Sequence, residues 1–486
     1  MAESAKLFAK GARDSAYSYD MKTLSATLVL ATLTGIAHAD AIDDYINTEI
    51  TRQHIPGLSL AIIQHGQLIR ATGYGFANLE HHVPVHPDTV FETGALGMQF
   101  TAAAILLLVE DGKLHLDDPI RKYLPDAPKS WAPITIRQAL NHTSGLPATP
   151  NGEFRRDYTD DELLNIIYKQ ELNFPAGTHW SFSYTGYLVL GMLIKKATGE
   201  HYADLLARRL FAPLGMQTTR LMNYLAIIPN RAAGYELREG ELRNQEWVSA
   251  TANSTADGAL LFSVLDYARW EAAMVAQKVL QPSSWNELTQ PVRLSDGHTY
   301  PYGFGWYLSQ DTWHHSGSWQ GFQSYVIRYL GTQLTIIALA NSDSADPTTL
   351  VRHVAAMVDP GLAQPPAEPV EDREPRITRQ LGALLEQIAV GTPHYDDFAF
   401  ISRSEFTESM ADNRKTLQSL GRVRQLALFD HRPLGDDQVY RYRARYDNGL
   451  LDLTLARTPA GKISALAISP IDDWNAPVKT GKSLLE

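Results

Sequence analysis

The sequence contains no cysteine. That single absence excludes disulfides, thiolate metal sites and a cysteine nucleophile. Positive charge is also scarce: 43 Lys and Arg stand against 54 Asp and Glu, a net charge of −11, with no dense basic stripe. A nucleic-acid partner calls for the opposite balance, so that class is set aside. Long apolar runs are missing apart from one near the N-terminus, and no integral membrane span is expected once that segment is removed. What remains is a chain of 486 residues, 44% hydrophobic and 20% charged. That is the balance of a soluble protein with large cores, long enough for two or three domains.

The apolar run extends from Leu24 to Ile36, after Lys22 and before Ala37-His38-Ala39. A short basic start, an apolar stretch and a small-x-small site read as a secretory signal peptide over residues 21–39. Cleavage is expected after Ala39, with a periplasmic or secreted product; a buried N-terminal helix is the alternative. Residues 1–20 form a polar extension ahead of it.

Beyond Ala39, two β-rich runs flank His65-Gly66 and predict a tight hairpin. Helical periodicity dominates from Phe100 to about Leu214. Strand-like runs return in "YGFGWYL" and "SYVIRYLGTQLTIIALANS". That order predicts a sheet built from both ends of one domain, residues 40–358, with a helical insertion between and a last helix at 345–358. Residues 359–376 hold five prolines and five acidic residues and read as an extended linker. Residues 377–486 predict a small α+β domain. Ile377, Leu381, Leu384, Leu385 and Ile388 share one helical face, and a second helix spans roughly 402–419. Short strands follow, with Asn448-Gly449 as a hairpin signal. In "QVYRYRARY" tyrosines alternate with Arg441, Arg443 and Arg445, and the arginine row is expected to be a solvated strand face.

Seven phrases carry a resemblance: "PDTVFETGALGMQFTAAAILLLVEDGKLHLDDPIRKYLPD", "ITIRQALNHTSGLP", "PAGTHWSFSYTGYLVLGMLIKKATG", "IIPNRAAGYE", "ADGALLFSVLDYARW", "YGFGWYL" and "HHSGSWQGF". In this order they resemble the serine β-lactamase and penicillin-binding-protein superfamily, especially class C-like β-lactamases, D,D-peptidases and related esterases. The resemblance implies an α/β (α+β) β-lactamase/transpeptidase-like fold: an antiparallel sheet flanked by helices, with a helical insertion and no cofactor. Members of that family work through S-x-x-K on a buried helix, Y-x-N, and K-T-G or H-x-G on an edge strand. The lysine helps take the serine proton, and the serine oxygen attacks an amide or ester carbonyl.

Carried over residue by residue, the motifs are uneven. Ala95 stands at the serine position and Met98 at the lysine position. Phe182 and Tyr184 replace the tyrosine and asparagine of Y-x-N. Only His315-Ser316-Gly317 keeps the third motif. No lysine in the chain has Ser or Thr three residues before it. Ser183 and Ser316 lie near the expected cleft without a lysine placed to activate them. A lone lysine left in such a cleft would be a poorly satisfied charge, whereas replacing the whole polar set with apolar residues is close to neutral. Natural divergence fits Lys→Met and Asn→Tyr better than deliberate inactivation does.

By the resemblance, the family's oxyanion hole falls on the backbone N–H groups of Ala95 and Ser318, which side-chain replacement does not remove. His315 is expected to add a donor beside them, and His142 to tie its own loop. Ala95, Tyr184, His315, Ser316, Gly317 and Ser318 are therefore the candidate binding residues. No metal is expected: His81-His82 and His314-His315 are adjacent pairs, and neighbouring strand residues point to opposite faces. The leading expectation is an exported, non-catalytic homologue that binds a peptide, peptidoglycan-like or acyl ligand, or a protein partner. An active hydrolase with an atypical nucleophile, such as water activated by His315, is one alternative. An interaction module whose cleft is closed by the Tyr184 ring is the other.

Overall fold

His65 and Gly66 both take positive φ, 52° and 72°, the backbone of a two-residue hairpin turn whose twist matches its strands. They join β1 (Gly57–Gln64) to β2 (Gln67–Asn78) in a computed structural model that describes residues 41–475, apart from positions 151, 224, 402 and 472. The expected extension at 1–20 and signal segment at 21–39 lie outside the described residues. Residues 41–46 are helical, and the described residues from Asn47 onward form one compact unit.

A central helix, α1 (Met98–Glu110), is buried on every side from Met98 to Leu108, the signature of a helix enclosed by core. Phe100 meets the rings of Phe211, Phe262 and Trp270 at 5.5, 5.7 and 5.1 Å. Gln99 and Thr101 are the polar exceptions: Gln99 Oε1 accepts from Tyr267 Oη and Trp270 Nε1, and Thr101 Oγ1 donates to the Ala256 carbonyl. Gly112, with φ of 69°, turns the chain away past the helix end. Two further helices flank it, α2 (Tyr184–Thr198) and α3 (Val264–Val275).

The returning strands are β3 (Thr312–Trp319), β4 (Phe322–Tyr329) and β5 (Leu334–Ala340). With short edge strands at Tyr307–Leu308 and Val83–Pro84, they complete a seven-stranded antiparallel sheet in the order β3-β4-β5-β1-β2 between those edges. Both ends of the domain therefore meet at the β5–β1 pair, as expected from the order of the runs. The last helix on this sheet is α4 (Pro347–Val358).

An extra sheet domain lies at the C-terminus. It comprises α5 (Pro375–Val390), α6 (Arg403–Leu420) and four antiparallel strands: β6 (Val423–Leu434), β7 (Asp437–Tyr446), β8 (Gly449–Arg457) and β9 (Ile463–Ile471). All five apolar residues of the α5 face are buried against Tyr440, Tyr442 and Tyr446. Two expectations change here. Tyr446 pairs with Gly449, so the turn residues are Asp447 and Asn448, one position before the Asn-Gly pair. The arginine row is solvated only at Arg445, which is exposed; Arg441 and Arg443 are 3% and 1% exposed. The Arg443 guanidinium lies 4.7 Å from the Phe429 ring, donates to the Trp474 carbonyl and faces Asp452, while Arg445 lies over Trp474. The strip ahead of α5 is also anchored rather than free. Ala367 N–H donates to the Asn475 carbonyl and Val370 N–H to that of Leu428.

Candidate active-site cleft

Three glycines interlock where β3 meets the turn before α1. A Cβ on Gly94 would lie 2.6 Å from Ser318 N, one on Gly317 2.0 Å from the Thr93 carbonyl oxygen, and one on Gly258 2.5 Å from that of Gly94. Gly94 also takes φ of 54°, a conformation open to glycine at little steric penalty. The backbones at 93–95, 257–259 and 317–318 are thus in direct contact.

This contact fixes where two N–H groups face. Trp319 and Phe322 close a two-residue hairpin, so they and Gly317–Ser324 are the hydrogen-bonded pairs of the ladder. Ser318, opposite Gln323, turns its N–H away from β4 and toward the Gly94 turn. Ala95 sits in the first turn of the 3-10 segment Gly94–Gly97, where an N–H has no partner within its own helix.

The side chains at the motif positions belong to the core. Ala95, Met98 and Phe182 are 1%, 0% and 3% exposed and share one apolar cluster. Tyr184 stands at the start of α2, its ring 5.1 Å from Phe182 and edge-on. Ser183 is the N-cap of α2: its Oγ accepts from Gly186 N–H at 3.0 Å and donates to the Pro147 carbonyl at 2.7 Å. That hydroxyl is committed to holding the helix start, which argues against a nucleophilic role. Ser318 Oγ accepts from Gln323 Nε2.

His315 differs from expectation. Ser183 N–H donates to His142 Nδ1 at 3.1 Å, so a neutral His142 carries its proton on Nε2, 3.1 Å from Tyr302 Oη. The Tyr302 hydroxyl then donates to His315 Nε2 at 3.1 Å, and His315 Nδ1–H donates to the Ser316 carbonyl at 2.6 Å. Every ring nitrogen is used, and each tautomer follows from its neighbour. Burial holds His142 well below the usual histidine range and pulls His315 down to about 4. Fully buried and bonded inward, His315 offers no donor to a ligand and no free lone pair to a water. The expected donor and the expected water activator are both lost for the same reason. His142 does tie its loop to Ser183, but it also belongs to this chain through Tyr302, which the sequence did not single out.

A cavity of about 450 Å³ opens beside Ala95 and Ser318. Phe154, Tyr158, Leu163, Tyr184, Leu188 and Trp319 supply its apolar wall. Tyr184 lines this space rather than filling it, contrary to the closed-cleft alternative. At its rim, Arg238 is paired with both Asp343 (2.6 Å) and Glu236 (2.9 Å). Asp257 also lines the cavity, and burial pushes its carboxyl up to about 6. Nothing in the pattern "TADGALLF" marks it, because the fold alone brings it to Ala95.

Glu92, in the strand leading into the turn, gives a pH prediction. Burial outweighs the attraction of Arg231 and a hydrogen bond from Gln245, pushing its carboxyl from the ordinary 4.5 up to about 7. A raised acid is held protonated by the folded state, so its stabilising effect is complete below about pH 4.5 and lost as pH rises through 7. The loss is roughly 3 kcal/mol. Glu92→Gln should therefore melt progressively higher than wild type as pH is raised from about 5 to 8. Parallel melting curves at all pH values would refute this.

The buried helix, the interlocked turn and the sheet edge place the chain in the β-lactamase family, whose profile matches residues 41–357. Among curated relatives, it is 30% identical over 302 residues to penicillin-binding protein 4* of Bacillus subtilis (strain 168), across 57% of this chain and 66% of that protein. It is 26% identical over 332 residues to protein flp of Staphylococcus aureus (strain MW2), across 65% and 66%. The chain thus spans just under two-thirds of the length of these relatives. Two solved structures share the fold. The octameric penicillin-binding protein homologue from Pyrococcus abyssi superposes with a TM-score of 0.60 at 22% identity, over 90% of this chain and 96% of that one. The D-amino acid amidase from Ochrobactrum anthropi SV3, solved with L-phenylalanine amide, gives 0.56 at 25% identity, over 66% and 97%.

Proposed function

We propose that this is a non-catalytic member of the family that binds a peptide, peptidoglycan-like or acyl ligand in the cleft beside Ala95 and Ser318. One observation carries the reading: a 450 Å³ cavity stays open against two main-chain N–H groups, while Ala95, Met98 and Phe182 are apolar and buried. Preorganised backbone donors hold a carbonyl or carboxylate oxygen without any help from a nucleophile. Export, with cleavage after Ala39, belongs to the same proposal and places the ligand outside the cytoplasm.

The test is to incubate the purified protein with a fluorescent penicillin and a chromogenic ester. Beside it goes an Ala95→Ser/Met98→Lys/Phe182→Tyr/Tyr184→Asn variant, checked for folding by circular dichroism. The unmodified protein should neither label nor turn over, and the variant should label. Labelling or turnover by the unmodified protein, above a denatured control, overturns the proposal.

A further inference from the structure

Two tight turns, one from each domain, meet away from the cleft. Asp296 and His298 sit on the turn between the paired strands Val292–Arg293 and Thr299–Tyr300. The His298 main-chain N–H donates to Asp296 Oδ1 at 2.9 Å and holds that turn. Asp436 comes from the turn between β6 and β7, where Leu434 pairs with Asp437. Gly435, at φ of 60°, lets the second turn close on the first hairpin. An added Cβ there would lie 3.8 Å from the Tyr300 ring and 3.9 Å from the Leu294 side chain.

The packing brings three metal-ligating side chains together, with one donor atom of each within 4.8 Å of the others. His298 Nδ1 lies 2.5 Å from Asp436 Oδ1 and 3.3 Å from Asp296 Oδ2. Donors around a tetrahedral zinc ion stand about 3.4 Å apart, a spacing these atoms straddle. Charge is out of balance at the junction. The two carboxyls are hydrogen-bonded to each other, which pulls Asp296 down to about 2 and pushes Asp436 up, so the pair binds one proton between them. Among the described residues, the ion pairs of both run to His298 alone, and the next charge acting on Asp436 is another acid, Asp437. Carboxylates in contact stay together only with a proton or a cation between them. A cavity of about 40 Å³, lined by Asp436, Asp437, His179 and Ser464, opens from the same turn and has room for water. The imidazole nitrogen sets this group apart from an acidic surface cluster and favours zinc-like ions over Mg²⁺ or Ca²⁺.

We propose that Asp296, His298 and Asp436 form a binding site for Zn²⁺ or a like divalent transition-metal ion, which ties the C-terminal domain to the hairpin at 292–300. His298 supplies Nδ1, each carboxylate supplies an oxygen, and water completes the coordination. The ion takes the place of the shared proton. None of the three residues lines the cleft cavity, so the site is independent of the ligand reading above. Asp436 stands in the other domain, and no spacing along the sequence marks the group.

Calorimetric titration of zinc chloride into untagged, EDTA-dialysed protein tests it, at about pH 7, where free imidazole is mostly neutral. The wild type should bind one ion per chain, and saturating zinc should raise its melting temperature. His298→Ala and Asp436→Asn should each weaken binding about tenfold or more and cancel most of the thermal shift. His115→Ala, at an exposed histidine outside the group, should change neither. Cobalt(II) gives a second readout: its visible ligand-field absorption should saturate at the same stoichiometry on the wild type and be lost in His298→Ala. No zinc binding by the wild type overturns the site and leaves a proton shared by two carboxyls. Binding that both variants retain overturns it too, because the ion then lies elsewhere. If one variant fails to fold, the other decides the question.

Discussion

Met98→Lys on its own should lower the free energy of unfolding by about 3–5 kcal/mol, read from urea denaturation at neutral pH. Met98 is fully buried, in a cluster with Ala95 and Phe182. A lysine there finds neither of the hydroxyl partners that the family's serine and tyrosine supply. The ammonium must either stay charged in an apolar surround or give up its proton, and both are unfavourable. The variant carrying all four replacements should recover part of that loss, because Ser at 95 and Tyr at 182 restore acceptors. A Met98→Lys protein as stable as wild type would show that the site had kept room and polarity for a charge. The account of coordinated apolar replacement would then fail.

The second large effect is expected at Gly317. Its missing Cβ is all that separates β3 from the turn before α1: the added atom would meet the Thr93 carbonyl oxygen at 2.0 Å, Ser324 Oγ at 2.6 Å and Leu96 N at 2.9 Å. Two of these three are backbone atoms that cannot rotate away. Gly317→Ala should therefore destabilise the protein by about 3 kcal/mol or more and abolish ligand binding in the cleft, since Ser318 moves with the strand. Gly382 is the control. It lies inside α5 with nothing within 4 Å of an added Cβ, so Gly382→Ala should stabilise by roughly 0.5–1 kcal/mol. Similar melting temperatures for the two variants would show that the close approach of β3 is not a packing constraint.

Periodic features of the chain were legible in its sequence. The His65-Gly66 hairpin, the buried helix after Gly97 and the apolar face of α5 each follow from local spacing, and local spacing is what a sequence displays. The placement of sheet strands at both ends of the domain was equally open. Where the reading failed, the deciding partner lay far along the chain. Arg443 looks like a surface residue until Phe429 and Trp474 close over it. His315 looks like a donor until Tyr302 and the Ser316 carbonyl take both nitrogens. The Asn448-Gly449 pair announced a hairpin, but pairing of Tyr446 with Gly449 set its register one residue earlier. Asp257 carries no motif at all; only the packing of Gly258 against Gly94 gives it a place in the cleft.

The proposed oxyanion donors at Ala95 and Ser318 are main-chain groups, and this bears on how such a protein evolves. A function held in peptide N–H groups leaves no side-chain imprint for substitution to erase. Selection acting on it is spread over the glycines that hold the backbone in place rather than over the residues at the motif positions. Lineages could exchange every reactive side chain and keep the pocket, provided Gly94, Gly258 and Gly317 persist. In sequence surveys those three glycines would distinguish a member that had given up chemistry and kept its ligand from one that had lost both.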